Sequence, residues 1–267
     1  MQAAPFRRGI AGPGATLRAG AAYARRWLHF GAEALAAALS PSTYTAPVRA
    51  VAARQVCSSA WEILPGFVVV CALLSYVVMR IVSSTARDYG LSGYALDLFV
   101  RLLVLELIPL FVALFVALRS GTAIGTEVAL MRVRGELDEA HRREGTGPLR
   151  AELLPRGIGT AAAVVALTAI GSLVALVMAY VGIYGLSRWG HGAYARAIGQ
   201  VFEPMVMVGL GLKVALFAVA VGVIPVAASL GAPRELRSVS EAAPRGLVRL
   251  FVTLALVEAA SLALRYI

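Results

Sequence analysis

The sequence predicts an all-α polytopic membrane protein with five membrane-crossing helices behind a basic N-terminal segment. Three observations predict it. Of the 267 residues, 59% are hydrophobic and 15% charged, whereas a soluble domain of this size carries roughly a quarter charged residues. The apolar residues fall in five runs near the ~20 residues that one helical crossing needs, at about 63–82, 96–118, 158–185, 205–230 and 247–266. Continuous runs of that length exclude a transmembrane barrel, whose strands alternate and are only ~10 residues long.

Residues 1–60 form a basic segment and 61–267 the five-span domain. Residues 1–14 are interrupted by Gly and Pro, but residues 16–39 are Ala-rich and helical in composition. Leu17, Tyr23, Trp27, Leu28, Phe30, Leu35 and Leu39 give that helix apolar bulk, and Arg25 and Arg26 keep it too polar to cross. It reads as an interfacial helix lying among lipid headgroups. The first strong apolar run begins near residue 63, behind these arginines, a pattern unlike an ordinary cleavable signal peptide.

The formal net charge is +10, and 24 of the 25 basic residues are arginine. Their distribution follows membrane topology, because cytoplasmic loops are enriched in Lys and Arg. The segment before the first run, the loop between the second and third and the loop before the fifth are rich in arginine. The other two loops hold Arg87 in one, and Arg188 and Arg196 in the other. Five crossings then put the N-terminus inside and the C-terminus outside. Trp61, Tyr89, Tyr94, Tyr184, Trp189 and Tyr266 lie near run ends, as an aromatic belt requires. No basic stripe with interleaved aromatics points to nucleic acid. Cys57 and Cys71 make no metal pattern, Cys71 falls within a crossing, and His29, His141 and His191 lie far apart. No metal site is expected.

The segment 119–156 carries the chemistry. The second run ends at Leu118, and Arg119 stands at the lipid–water boundary. Gly121, Ala123 and Gly125 permit close backbone approach. A helix at about 120–140 follows, with Val128, Met131, Val133 and Leu137 on one broad side and Glu127, Arg132, Glu136, Asp138 and Glu139 carrying charge. Gly145, Gly147 and Pro148 end it. Met131 and Val133 are apolar yet lie outside the bilayer, which suits a helix that docks on a partner.

Charges inside apolar runs are costly and point to function or to pairing. Arg101, Glu106, Lys213 and Glu258 are such charges. At ~1.5 Å per residue, Glu106, Lys213 and Glu258 lie roughly 15, 12 and 13 Å from the outer edge. One depth and opposite signs predict a buried network joining the second, fourth and fifth crossings. It is either purely structural or part of a lipid cavity. Arg101, nearer the outer edge, would snorkel or meet a lipid phosphate. Lys213 is the only lysine and follows Gly-Leu inside an apolar run, so no Walker-type phosphate loop is present. Neither a nucleophile elbow nor a catalytic acid pair is evident.

Arg119-Ser120-Gly121-Thr122-Ala123-Ile124, followed by Thr126-Glu127 and Met131-Arg132-Val133, resembles the signature of the MlaE/YrbE permeases. These are the membrane subunits of MCE-associated ABC lipid transporters. Glu106 and Pro109 match two positions of the family's Arg-Glu-Leu-Gly-Pro motif. Pro148-Leu149-Arg150 and Leu154-Pro155-Arg156 match its lead into the third span, and Gly211-Leu212-Lys213 the start of its fourth. The resemblance covers about residues 45–267. It implies an MlaE-type fold: an interfacial helix plus five spans, in the bacterial inner membrane, working as a homodimer. It implies a phospholipid substrate, a periplasmic MCE-domain partner, and a cytoplasmic ABC ATPase that holds the ATP and Mg. This chain would then be no enzyme and hold no cofactor. The loop after the second span would be the coupling helix, with Arg119, Glu127, Met131 and Arg132 at the ATPase contact. The sequence departs from the pattern at Met79-Arg80-Ile81, where the family has Gln-Gly, at Gly135 in place of Glu, and in the charged stretch 139–147. The departures leave open a non-transporting scaffold or heterodimer partner of such a complex. An independent channel is a third reading, weakened by the lack of a polar lining along any one span.

Overall fold

The computed structural model describes residues 64–135, 154–185, 187–230 and 236–266. The basic segment with its expected interfacial helix lies outside the described residues. So does the charged stretch 139–147.

Among the described residues every regular element is helical. Helix α1 spans Leu64–Asp88. It ends in a Schellman motif: Gly90 takes φ +69°, Leu91 N–H donates to Ala86 O at 2.7 Å, and Gly90 N–H to Arg87 O at 3.0 Å. Glycine suits this left-handed position because it has no Cβ. A turn of 3₁₀ helix, Ser92–Tyr94, then leads into α2.

Helix α2 is one continuous run of five segments: α-helical Ala95–Phe99, π-helical Val100–Leu107, α-helical Ile108–Val116, π-helical Ala117–Gly121 and α-helical Thr122–Val133. The junction residues Val100, Ile108, Ala117 and Thr122 all keep right-handed helical dihedrals. The sequence reading began a separate helix near residue 120 and carried it to about 140, of which residues 136–140 lie outside the described residues. Instead the second crossing continues unbroken to Val133 and stops in a turn where Gly135 takes φ +75°. Thr122–Val133 contains no proline, so nothing local interrupts the rod there, while Gly135 provides a left-handed stop.

Helix α3 is Leu154–Tyr184, α4 is His191–Val201, α5 is Pro204–Leu230 and α6 is Leu236–Tyr266. Helix α6 thus starts about ten residues before the crossing read from the sequence, whose apolar window alone marks Gly246–Leu264. Pro244 lies inside it at that transition. Five helices are long and apolar enough to cross a membrane: Leu64–Asp88, Ser92–Val128, Arg156–Tyr184, Pro204–Ala228 and Gly246–Leu264. The protein is an all-α polytopic membrane protein.

Helix α2 is central. Over its most apolar stretch 56% is buried inside the protein, against 11% for α6. Helix α1 packs on α3, α3 on α5, and α5 on α6, with α2 against α3, α5 and α6. Phe67 of α1 meets Phe111 and Phe115 of α2 at ring-centroid separations of 6.1 and 5.5 Å. Helices α3 and α5 cross backbone to backbone. A Cβ on Gly222 would lie 2.6 Å from Gly157 O, and one on Gly157 would lie 3.0 Å from Gly222 O. Without a hydrophobic driving force between helices in lipid, such small-residue crossings supply the attraction through close packing.

Candidate functional site

The chain's one lysine sits inside the bundle. Lys213 on α5 is 3% exposed and Glu106 on α2 is 9% exposed. Lys213 Nζ forms an ion pair with Glu106 Oε2. It also lies 2.8 Å from both oxygens of Glu258 on α6, donating a hydrogen bond to Oε1. A longer bond, 3.4 Å, runs from Nζ to the Leu105 carbonyl. Pro109 explains why that carbonyl is available: it has no N–H to give to the carbonyl four residues back. Glu106 itself stands in the π-helical segment Val100–Leu107, where the wider coil turns it toward α5. The Phe217 ring centroid is 5.9 Å from Nζ, one turn further along α5.

Two carboxylates and one ammonium give the triad a formal charge of −1. Charges taken out of water cost several kcal/mol each, so they persist only when paired and hydrogen-bonded. The three side chains therefore lock α2, α5 and α6 at one height, as their sequence depths predicted. Arg101 does not join them. Its Nε lies 3.0 Å from both Asp97 oxygens, one turn earlier on α2, and the pair is exposed. The sequence carries the signal for this alternative, since opposite charges four residues apart on a helix are neighbours.

The second cluster lies at the far end of α2. Glu127 and Met131 are one turn apart on its last segment, and Arg119 lies two turns before Glu127 in the segment Ala117–Gly121. Glu127 Oε2 is 2.8 Å from Arg156 at the start of α3. Arg156 enters the sequence reading through the stretch Leu154-Pro155-Arg156, with no role at this contact. Of Arg132 only the helical backbone is described. Gly121 lets α2 approach α5 here, since a Cβ on it would lie 3.3 Å from Pro225 Cγ.

At the opposite end, α4 folds over the start of α2. Tyr180, Tyr184 and Tyr194 cluster with His191, which stacks on Tyr180 at 4.8 Å. Tyr194 Oη donates to Leu176 O at 2.7 Å. Burial first, and the nearby Tyr184 second, push the Tyr194 phenol up to about 12. Tyr184 was legible as a belt residue, but the cluster needs the α3–α4 turn and was not. Cys71 is buried with Sγ 3.6 Å from Gly171 O. Among the described residues no three His, Cys, Asp or Glu gather as metal ligands.

A five-span helical bundle with a charged triad in its core and a central helix longer than one crossing needs defines a class: a polytopic membrane protein. The family model for the MlaE permease matches residues 52–264. This chain belongs to the MlaE permease family. It is also similar to a probable ABC transporter permease protein of Rickettsia conorii, with 30% identity over 120 residues, 45% of this chain and 46% of that protein. A probable ABC transporter permease protein of Rickettsia prowazekii is 31% identical over 120 residues, with the same coverage. The chain thus spans about half the length of the curated relatives it matches.

Proposed function

We propose that this chain is the membrane-spanning permease subunit of an ABC-type phospholipid transporter. In this reading the N-terminus is cytoplasmic, the C-terminus periplasmic, and the membrane is the bacterial inner membrane. A separate ATPase binds ATP and Mg and presses on the end of α2 at Glu127, Met131, Arg132 and Arg119. Two copies enclose an apolar cavity near the outer leaflet, and lipid passes between it and a periplasmic MCE-domain protein.

The observation that carries this reading is the continuity of α2. Ser92–Val128 comprises 37 residues, ~55 Å of helix against a hydrocarbon core of ~30 Å. The overhang is the part that an engine outside the lipid would grip. Family membership and the names of the Rickettsia relatives support the same direction.

The test is purification of the chain at native expression level in mild detergent, with mass spectrometry of bound proteins and lipids. Recovery of an ATP-binding subunit, an MCE-domain protein and phospholipid supports the reading. Recovery of the partners with no ATP-dependent lipid movement after reconstitution favours a scaffold or heterodimer subunit, a possibility motivated by the charged stretch 139–147. Recovery of the chain alone, even after crosslinking, overturns the ATPase contact.

A further inference from the structure

The Lys213 ammonium has no hydrogen to spare. It carries three. They go to Glu106 Oε2, to Glu258 Oε1 at 2.8 Å and to the Leu105 carbonyl at 3.4 Å. Glu258 Oε2 is left over. It lies 2.8 Å from Nζ, yet it is buried and accepts no hydrogen bond among the described residues. An unserved polar atom in a core is costly. Beside it stands the second acid, for the Glu106 and Glu258 side chains are hydrogen-bonded to each other. Ionised carboxylates are acceptors only, so a bond between two of them requires a proton on one.

No second cation supplies the missing charge. Helix α5 holds no ionisable residue besides Lys213. On α2, Arg101 is exposed and bound to Asp97, and Arg119 lies thirteen residues beyond Glu106, roughly 20 Å along the axis. On α6, Arg249 is exposed and nine residues before Glu258, with Arg265 seven after it, roughly 13 and 10 Å away along the axis. Helix α3 brings Arg156, paired with Glu127, and Tyr180 and Tyr184 at its other end. Helix α4, over the start of α2, brings His191, Tyr194 and Arg196. Helix α1 packs on α3 and the start of α2; its Cys71 faces Gly171 O, and Tyr76 and Arg80 are exposed.

We propose that the triad is a proton-binding site, in which Glu258 Oε2 carries a proton and donates it in a hydrogen bond to Glu106. A proton taken from the solvent forms the O–H bond, no bond within the protein breaks, and no electron is transferred. The formal charge of the cluster goes from −1 to zero, which suits an apolar layer where an uncompensated charge is costly. Glu258 is the point of entry, since α6 is 11% buried over its crossing against 56% for α2. As a neutral acid, Glu258 can part from Lys213 without carrying an anion into the apolar layer. Lys213 and Glu106 then remain as a balanced pair. The site rests on the triad alone and stands apart from the transport reading.

Infrared spectra of the full chain in nanodiscs at pH 7 test it without ATP. An ordinary glutamate, with a pKa of ~4.3, is ionised there. A protonated carboxyl has a C=O stretch separate from the carboxylate bands, and it moves in heavy water. The parent is expected to show such a band. Glu258→Gln and Glu106→Gln should each lose it, because the remaining acid then pairs with Lys213 as an anion. The amide introduced at position 258 can donate to Glu106 as the hydroxyl did, so this variant keeps the contact. Exposed Glu203→Gln should leave the band in place. Labelling the glutamate side-chain carboxyls with carbon-13 should shift the parent's band, a check that needs no variant. Absence of the band from the parent overturns the proposal, as does its persistence in either triad variant or a band that the label does not move.

Discussion

Lys213 and Glu258 meet across α5 and α6 with the ammonium 2.8 Å from both carboxylate oxygens, while the same ammonium holds Glu106 on α2. One cation thus serves two anions that would otherwise repel.

Lys213→Met is therefore expected to destabilise the protein by more than loss of a contact, about 3–5 kcal/mol, because it leaves two uncompensated carboxylates in the core. Adding Glu106→Gln and Glu258→Gln to the same chain should recover much of the loss. Thermal unfolding in detergent reads both effects. A Lys213→Met protein as stable as the parent would remove the triad from the account of how α2, α5 and α6 stay together.

Gly222→Val should weaken the α3–α5 crossing by about 1–3 kcal/mol, the usual cost of overpacking, since even a Cβ there would lie 2.6 Å from Gly157 O. Gly192→Ala, where a Cβ meets nothing within 4 Å, is the control. Equal melting of the two variants would show that the crossing relaxes freely.

Tyr194 supplies a pH dependence outside the spans. Its phenol is pushed up to about 12 from an ordinary value of 10.0, so the folded protein holds this proton more tightly than the unfolded chain. Stability from this group is complete below pH ~10 and is lost as pH rises toward ~12. Tyrosinate absorbance should show a late-titrating phenol that Tyr194→Phe removes. A titration unchanged by that substitution would contradict the buried position.

Glu127 and Arg156 form a partly exposed pair, with side chains 52% and 21% exposed. Glu127→Arg alone should cost no more than about 1 kcal/mol of stability. Under the proposed function it should nonetheless slow ATP-driven transport, and Glu127→Arg/Arg156→Glu should restore it. Transport that ignores the single substitution would show that the pair does not position the end of α2.

The parts of this fold that were legible in the sequence are those governed by the bilayer itself. Five apolar runs forecast five helices because length and composition suffice for a crossing. The triad was legible too, since charges such as Glu106, Lys213 and Glu258 cannot sit in lipid unpaired and their spacing set a common depth. Less legible were features decided by the backbone after it leaves the hydrocarbon. Hydropathy falls at Leu118, yet the helix continues to Val133 because no proline or left-handed glycine breaks the backbone before Gly135. Helix α6 likewise begins at Leu236 with polar residues that no hydropathy window includes. The pairing of Arg101 with Asp97 shows the other limit: a charge read as lipid-facing already had a partner one turn away.

The unbroken course of α2 sets how the molecule deforms. The triad grips this rod about a third of the way along, and Glu127 with Arg156 steadies it roughly 30 Å further on. A stiff member held there turns on unequal arms. Sideways movement of its projecting end is returned as opposite movement of its start, beneath α4 and the tyrosine cluster. The two faces of the membrane are in this way joined by a single seesaw, whose fulcrum is an ammonium ion.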